Sequence, residues 1–339
     1  MYDLIIQSPD DSTVFRPPYD SITIKEELNK GYDGSFTISY PSIKKYADAF
    51  GLTPDDIFAT SSREWYVRKN EVKIFGGILM DRRISGGATG LTSLVVNIAD
   101  FSLLLNKRRT DVFWQRLSTD SADIVEDMLD YTNAISPTGI VMGNKPVTKN
   151  RDQTSRYANI RDEIVSMSAL KKYDGYDWDV DVTKSLNLYY PKGEVRGYII
   201  LDEFNTTSFQ NNRNLQGKLT NKVYVLGKGY DDDMVVGTKE SVGSQTTWGL
   251  LEDVLSEKGV GTLSELEDRG EQFVNDNAFS TDGISLKHQD GTPDLTSYSV
   301  GDTVRAIRRD LSYDEELRVY KRTIQIDDSG GATVDLSFE

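Results

Sequence analysis

The chain has 339 residues, which is enough for about two domains and for buried cores that need no disulfide or metal. Its 54 acidic residues exceed its 39 basic residues, so the formal net charge is −15. This balance disfavours ordinary binding along nucleic-acid phosphates, which uses Lys and Arg. Of the acids, 37 are Asp, a residue of turns and caps, so we expect many loops as well as an anionic surface.

Cysteine is absent and His288 is the single histidine. A disulfide framework, a thiolate nucleophile, Cys-ligated zinc and Fe–S clusters are therefore excluded. No apolar run approaches the ~18 residues that span a bilayer, so we predict no membrane span. The first residues lack the basic flank and apolar core of a signal peptide, so we expect a protein made in the cytosol without the usual export signal.

The first region has strand periodicity. Residues 22–28 and 35–40 alternate apolar and polar side chains around a glycine turn and predict a hairpin that Pro41 closes. Residues 42–50 have the apolar spacing of a short helix. Further strands are predicted at 64–68, 72–80, 82–84 and 91–98. This antiparallel run predicts a first β-barrel domain at 1–115.

The periodicity becomes helical after Asp100. We predict a helical connector at 101–117, a helix at 120–133 and a stronger helix at 158–172. Two strands, 178–182 and 186–190, follow these helices. Together they predict an α+β domain inserted at 116–198.

The rest of the chain returns to strands. Strands are predicted at 198–201, 204–210, 222–226, 234–238, 283–288, 300–307, 317–327 and 332–338, with helices at 248–256 and 264–278. We therefore predict a second β-barrel domain from 199–245 and 279–339, interrupted by a helical insertion at 246–278. The predicted fold class is mainly β with α+β insertions, built on two tube-like β-barrels.

Three aspartates alternate along one predicted strand, at Asp177, Asp179 and Asp181. Such a face could hold Ca²⁺, but an EF-hand loop counted from Asp177 would need Gly and Glu where the chain has Val182 and Leu188. A solvated strand face is the simpler interpretation. The run Asp231, Asp232 and Asp233 is interpreted as a turn.

Other short motifs also have structural explanations. Residues 86–93 are rich in glycine but lack the lysine of a phosphate loop and join two strands, so they predict a hairpin tip. Residues 259–262 predict a turn between two helices. A catalytic triad would have to use His288, and no Gly-x-Ser-x-Gly elbow accompanies it, so a structural or exposed histidine is expected.

Two basic clusters, residues 107–109 and 308–309, are interpreted as solvated turns, with pairing to a partner subunit as the alternative. Many Asp and Glu pairs could act as a glycosidase couple, but nothing in the sequence selects one. We therefore assign no catalytic, metal-binding or cofactor-binding residue, and we predict that the protein is not an enzyme.

The order of the predicted elements is distinctive. The strands at 24–28 and 34–38 are followed by a helix and by residues 66–78, with a Phe-x-Gly-x-Ile-like ending. A helix and hairpin follow at 164–180, then the helices in 246–278, and finally residues 298–304 with 318–326. In this order the stretches resemble the first barrel, the inserted domain, the helical segment and the last barrel of the tail hub proteins of long-tailed phages and related injection machines.

The resemblance implies a structural function without catalysis or cofactor. Family members form trimers in which two barrels per chain make a pseudo-hexameric ring, joining a six-fold tail tube to a three-fold tip and letting DNA pass. The implied partners are two further copies of the chain, tail tube or distal tail ring proteins, tip, spike or fibre proteins, and tape-measure protein or DNA passing through the lumen. The implied location is the tail tip of a virion assembled in the host cytoplasm.

The sequence leaves two other function classes open. One is a carbohydrate-binding tail module that uses Tyr-rich faces, and the other is a tail-associated hydrolase that uses two carboxylates. For the hub, the charge of −15 leads to the hypothesis of an acidic lumen that repels DNA phosphates. An Asp-rich surface would also suit a high-salt host.

Overall fold

The structure is a computed structural model of the whole chain. It describes residues 1–10, 12–58, 63–86, 92–111, 113–148, 150–168, 176–202, 204–213, 219–258, 260–278 and 282–338. The chain divides into two compact units, one formed by Met1–Phe209 with Ser285–Phe338 and the other by Gln210–Ile284.

The strands are β1 (Tyr2–Gln7), β2 (Val14–Phe15), β3 (Ser21–Glu27), β4 (Asp33–Ser39), β5 (Glu64–Lys69), β6 (Val72–Gly86), β7 (Thr92–Asp100), β8 (Trp114–Asp120), β9 (Val141–Met142), β10 (Asn150–Ser155), β11 (Asp177–Val180), β12 (Ser185–Tyr189), β13 (Val195–Leu201), β14 (Thr206–Arg213), β15 (Lys222–Leu226), β16 (Val236–Glu240), β17 (Glu252–Ser256), β18 (Asp282–Gln289), β19 (Thr303–Arg308), β20 (Tyr313–Asp327) and β21 (Ala332–Phe338). The helices are α1 (Tyr40–Ala49), α2 (Pro54–Ile57), α3 (Leu103–Asn106), α4 (Ser121–Ile135), α5 (Ile160–Ser168), α6 (Val242–Trp248) and α7 (Leu263–Asn277). In the described part of the chain, no helix is long and apolar enough to cross a bilayer.

One large sheet organises the first unit. Its central strands follow the order β18-β21-β20-β3-β4-β7-β6, every neighbouring pair is antiparallel, and β14 lies next to β18. The described pairings form an open path rather than closed barrels. The predicted class, mainly β with helical insertions, is confirmed, and the two barrels stay a prediction.

The sheet consists of two related halves that meet where β3 pairs with β20, Ile24 opposite Ile324. We name β3, β4, β7 and β6 the first sheet half, and β20, β21, β18 and β14 the second sheet half. Each half has four strands, which can be numbered one to four in chain order within that half. Counted outward from the junction, the first half has the order one, two, four, three. The second half has the order three, four, two, one. The halves therefore share one arrangement, circularly permuted, although the sequence has no repeat of fixed period.

The predicted hairpin at the start of the sheet is confirmed as β3 and β4, since alternation buries Ile22, Ile24 and Phe36. One boundary differs from the prediction. Pro41 lies in the first turn of α1 instead of closing the strand, because that turn needs no amide hydrogen from it.

The region predicted as an inserted α+β domain packs around an apolar cluster that it shares with β1 and β5 of the large sheet. Ile124 and Met128 of α4 and Ile164 of α5 pack with Trp178 of β11, and the cluster continues to Phe101 next to the large sheet. The Asp120 side chain caps α4 at the predicted start by accepting from the Ala122 amide at 2.8 Å. The connector predicted as helical is helical only at α3, because its second part forms β8, which pairs with β10.

The second unit contains a three-stranded sheet that packs against α7, together with the short helix α6. The order is β16-β15-β17, and Val223 and Val225 of β15 pack with Leu266 and Val274 of α7. The helix predicted at 248–256 is wrong: α6 ends at Trp248, Gly249 has φ +76°, and β17 pairs in parallel with β15. Parallel pairing with β15 in the tertiary fold overrides the helical spacing of this segment.

Candidate functional site

The outward face of the large sheet is polar from one sheet half to the other. Side chains on paired positions share a face, and one such row crosses seven strands. The row contains Gln289, Thr333, Gln325, Thr23, Ser35, Asn97 and Asp81. These side chains are exposed or half-buried, while the alternate residues form the core. We name this surface the polar face.

The polar face contains two depressions on opposite sides of β3. One, of about 470 Å³, is lined by residues that include Thr23, Gln325 and Thr333. The other, of about 320 Å³, is lined by residues that include Ser35 and Asn97. The face is therefore recessed and hydrophilic, as expected of a surface that remains in contact with water or with a polar molecule.

The polar face carries nearly balanced charge. Its basic side chains are Lys25, Arg83, Lys287 and Lys321, and its acidic side chains are Glu27, Asp33, Asp81, Asp327 and Asp335. Opposite charges are neighbours here, since Lys25 lies opposite Asp33 and Lys287 opposite Asp335. The acid excess of the chain is therefore located elsewhere, which argues against the acidic-lumen hypothesis for this face.

The aspartates of β11 are not a solvated strand face, so that interpretation is wrong for two of them. Asp177 and Asp179 are 4% and 9% exposed, and both carboxylates have cationic partners. Arg318 of β20 lies 2.5 Å from Asp177, and Lys192 lies 2.6 Å from Asp179. Asp181 remains near the surface and accepts from Thr183 at 2.6 Å. The strand is polar on this side because it docks on the large sheet, not because it faces water.

We name Asn29, Asp177, Asp179, Lys192 and Arg318 the ionic junction. The Asn29 side chain donates to Asp177 at 2.7 Å and accepts from the Trp178 amide at 3.0 Å, which ties β11 to the turn after β3. The Lys192 amide donates to Asp177 at 2.8 Å. Burial alone would lower the pKa of Lys192, but the facing Tyr32 and Asp179 raise it. The junction thus holds charged groups without leaving one unpaired.

A second buried ion pair lies where the two sheet halves meet. Glu26 and Arg322 are opposite each other on β3 and β20, and their side chains form an ion pair. Arg322 also donates to the carbonyls of Leu295 and Tyr298 at 2.7 and 2.6 Å. Sequence reasoning missed this pair, although both residues occupy the apolar parity of their strands, beside Ile24 and Ile324. A charged residue in that position is the signal that could have revealed it.

His288 is a buried structural residue, one of the two outcomes expected for it. Its Nδ1 lies 2.8 Å from the Gln289 carbonyl and therefore carries the proton, so Nε2 accepts from the Tyr298 hydroxyl at 2.6 Å. Burial lowers the pKa of His288. Both ring nitrogens are thus engaged within the core.

Close to His288, Lys69 bridges Asp290 and Asp294 at 2.6 and 2.8 Å. Burial opposes ionisation of Asp294, but hydrogen bonds from Lys69 and Thr296 lower its pKa to about 2. Lys69 thus ties β5 to the loop that follows β18.

The remaining motifs have local structural roles. Arg108 donates to the carbonyls of Thr132 and Ser136 at the end of α4, at 2.8 and 2.5 Å. Arg308 pairs with Asp310 at 2.6 Å. These two arginines have partners within the chain, while Lys107, Arg109 and Arg309 are exposed, in keeping with the interpretation as solvated turns.

The turn motifs fall partly outside the described residues. Residues 231–233 form a 3-10 turn, as predicted. Gly86 pairs with Thr92 at the end of the β6–β7 hairpin, while the predicted tip at 87–91 lies outside the described residues. Gly259 lies outside them too, and the segment around it joins β17 to α7 rather than two helices. Within the described ranges, no group of three or more His, Asp or Glu side chains could hold a metal ion.

No protein-family model matches the chain, and no curated protein matches it by sequence. Solved structures do match it. A tail protein from Neisseria meningitidis MC58 has a TM-score of 0.70 at 12% identity, covering 99% of this chain and 96% of that one. The 43 kDa tail protein of prophage MuSo2 from Shewanella oneidensis has a TM-score of 0.73 at 13% identity, covering 100% and 98%.

A component of the Escherichia coli type VI secretion system, described as structurally similar to bacteriophage T4 tail proteins, has a TM-score of 0.55 at 12% identity. The match covers 99% of this chain and 76% of that one. The chain therefore has the fold of these phage tail and secretion-system proteins, as the sequence resemblance predicts.

Proposed function

We propose that the chain is a structural tail hub: three copies form a ring that joins a six-fold tail tube to a three-fold tip. The observation that carries this proposal is the match of fold over nearly the full length of two phage-type tail proteins. The two sheet halves support it as well, because two equivalent halves in each of three chains give six similar positions around a ring.

We further propose that the polar face lines the channel of this ring and that DNA passes along it. The face is recessed, carries nearly balanced charge and is built mainly from hydroxyl and amide side chains. Phosphates bind where Lys and Arg are in excess, so a face without such an excess lets DNA move without retention. Passage would then depend on neutral polarity rather than on repulsion by an acidic wall.

The proposal includes the partners and location implied by the hub. The ring would contact tail tube or distal tail ring proteins on one side and tip, spike or fibre proteins on the other. Tape-measure protein or DNA would occupy the channel without specific binding. The protein would be assembled in the host cytoplasm, would reside at the tail tip, and would have neither catalytic activity nor cofactor.

Sedimentation of the purified full chain tests the ring. We expect a mass three times that of the 38.1 kDa chain and ring-shaped particles in negative stain. A monomer that binds polysaccharide would instead favour the carbohydrate-binding module. Hydrolysis of a cell-wall polymer that a single Asp or Glu substitution abolishes would favour the hydrolase.

Gold labelling tests the channel, because the chain has no natural cysteine to react. Thr23→Cys places one thiol per copy on the polar face, and Val147→Cys is the matched control at a residue 90% exposed. After reaction with maleimide-gold, we expect particles inside the ring for Thr23→Cys and elsewhere for the control. Gold on the outer rim of Thr23→Cys rings would contradict the assignment of the channel.

A further inference from the structure

The edge strand β17 is unusually exposed for a strand in a parallel pair. It pairs in parallel with β15 over five residues, yet Glu252, Asp253, Val254 and Ser256 are all exposed. Leu255 alone packs against the core under α7. Strands in parallel pairs are normally covered, and an open edge is a template for another strand. In the described part of the second unit no further strand pairs with β17, so its free edge is a candidate interface.

The outer part of β6 is a second open edge. β5 pairs with β6 only as far as Ile78, whereas β7 accompanies β6 on its other side to Gly86. Residues 80–86 are all exposed. Among the described residues, this part of β6 therefore has a strand on one side only. Its sequence places Arg82 and Arg83 directly before the apolar Ile84.

We propose that the outer part of β6 in one copy adds as a parallel strand to β17 of the next copy. This inference rests on the proposed trimer. In this register, Arg82 lies opposite Glu252, Arg83 opposite Asp253, and Ile84 opposite Val254. Two basic residues and one apolar residue of β6 thus face two acidic residues and one apolar residue of β17, in the same sequence order.

Side-chain direction supports this register. Alternation places Arg82 with Ile84 on one face of the added strand, and Glu252 with Val254 on the same face of the extended sheet. Opposite charges at facing positions favour pairing, and the main-chain hydrogen bonds of the added strand supply affinity.

The present partner of Arg82 does not block this contact. Arg82 lies 2.6 Å from Asp55 of the same copy, and these side chains are 35% and 75% exposed. Such an exposed pair is weak and leaves the guanidinium accessible to a second carboxylate. The two edges are different surfaces of the chain, so the contact is heterologous and can close a ring when it is repeated.

Cross-linking between singly substituted chains tests the contact and its register. Ile84→Cys and Val254→Cys are made in separate chains, so that any mixed disulfide joins two copies. Facing Cβ atoms lie about 4.5–5.5 Å apart in paired strands, within reach of a small rearrangement to disulfide geometry. After the variants are mixed and oxidised, we expect a dimer band on non-reducing gels. The control mixture of Ile84→Cys with Val147→Cys should give little of it.

Charge reversal is the second test. The variant Arg82→Glu/Arg83→Glu should form trimers at least about tenfold more weakly, because like charges then face each other. Adding Glu252→Lys/Asp253→Lys in the same chain should restore assembly. The control Lys44→Glu/Lys45→Glu changes net charge equally at two exposed residues of α1 and should assemble normally.

The outcomes separate this inference from the proposed hub. A native trimer that gives no specific Ile84–Val254 cross-link and tolerates charge reversal overturns the strand addition and leaves the hub intact. A chain that stays monomeric at every concentration overturns both. Specific cross-linking with rescue by the swapped charges supports the contact.

Discussion

The two sheet halves share one strand arrangement but are stabilised by different chemistry. Beneath the first half, Trp65 is fully buried, with its ring centroid 5.5 Å from Phe58 and 5.9 Å from Phe36. Beneath the second half, the core includes the polar side chains of His288 and Arg322. Both cores are mainly apolar, but the first contains packed aromatic rings and the second contains hydrogen-bonded polar side chains.

This difference shows that the strand arrangement does not require one type of core. Removing an apolar contact lowers the free energy of unfolding in proportion to the buried surface that is lost and the cavity that is left. Removing the partner of a buried charge is costly because the charge then stays buried and unpaired. The second half is also the one in which a long segment, residues 214–281, separates β14 from β18 along the chain. Substitutions in the two cores should therefore differ in how they can be rescued.

The largest effect is expected from breaking the buried ion pair. Arg322→Met leaves the Glu26 carboxylate buried without its cation and should lower the free energy of unfolding by about 3–5 kcal/mol. The double variant Glu26→Leu/Arg322→Met should recover much of this loss, because no charge then remains unpaired. Denaturant unfolding of the two variants measures both effects, and equal losses would contradict a role for the unpaired charge.

A loss of similar size, but without rescue, is expected in the first half. Trp65→Ala removes a fully buried indole and should cost about 3–5 kcal/mol through lost burial and the remaining cavity. Phe50→Ala, at an aromatic residue that is 57% exposed, is the matched control and should cost far less. If the two variants unfold at the same denaturant concentration, the aromatic core does not support this half.

A smaller effect that depends on pH is expected at Asp100, at the end of β7. Burial raises the pKa of Asp100 from 3.8 to about 6, although hydrogen bonds from Ser102 and Tyr32 oppose the shift. Because the folded state binds this proton more tightly, its contribution to stability is present below pH 3.8 and is lost as pH rises through about 6. The change is at most about 3 kcal/mol, since each pKa unit corresponds to 1.36 kcal/mol.

Thermal unfolding between pH 3.5 and 7, compared with Asp100→Asn, measures this contribution. The melting temperature of the wild type should fall relative to that of the variant as the pH rises. A difference that is constant across this range would contradict the raised pKa.

The smallest effect is expected at an exposed ion pair that joins β19 to β20 of the second half. Arg305 and Asp314 lie 2.6 Å apart on β19 and β20, and both side chains are about half exposed. Water and salt screen such a pair, so Arg305→Gln should leave stability unchanged within measurement error. A clear destabilisation would mean that exposed and buried ion pairs contribute alike, contrary to the comparison of the two cores.

Local periodicity predicted much of the fold. The alternation around Ile22 and Ile24 and the acidic start of the helix at 121–135 predicted β3 and α4 because neighbouring residues decide these elements. Prediction failed at β17, where five residues carry too little pattern to separate strand from helix. Local periodicity also does not explain the glycine at position 34. Gly34 lies in β4, and a Cβ there would come within 2.8 Å of the Phe75 ring.

The candidate site was less predictable than the fold. The row that includes Thr23, Ser35 and Gln325 is assembled from seven strands, and each strand alone shows only ordinary polar alternation. Asp177 and Asp179 have the sequence pattern of a solvated face. The sequence of one strand does not show that cations from distant segments will pair with its carboxylates. Lys192 and Arg318 supply those cations only after the chain folds.

The sequence by itself determined the absence of thiol chemistry, the mainly β class and the parity of most strands, because composition and nearest-neighbour pattern suffice for these. The tertiary structure alone decided which strands became neighbours, that the two sheet halves are permuted copies of one arrangement, and where charge is buried. These features depend on contacts between residues far apart in the chain, such as Glu26 with Arg322. The free energy of such a contact cannot be read from the pattern of neighbouring residues.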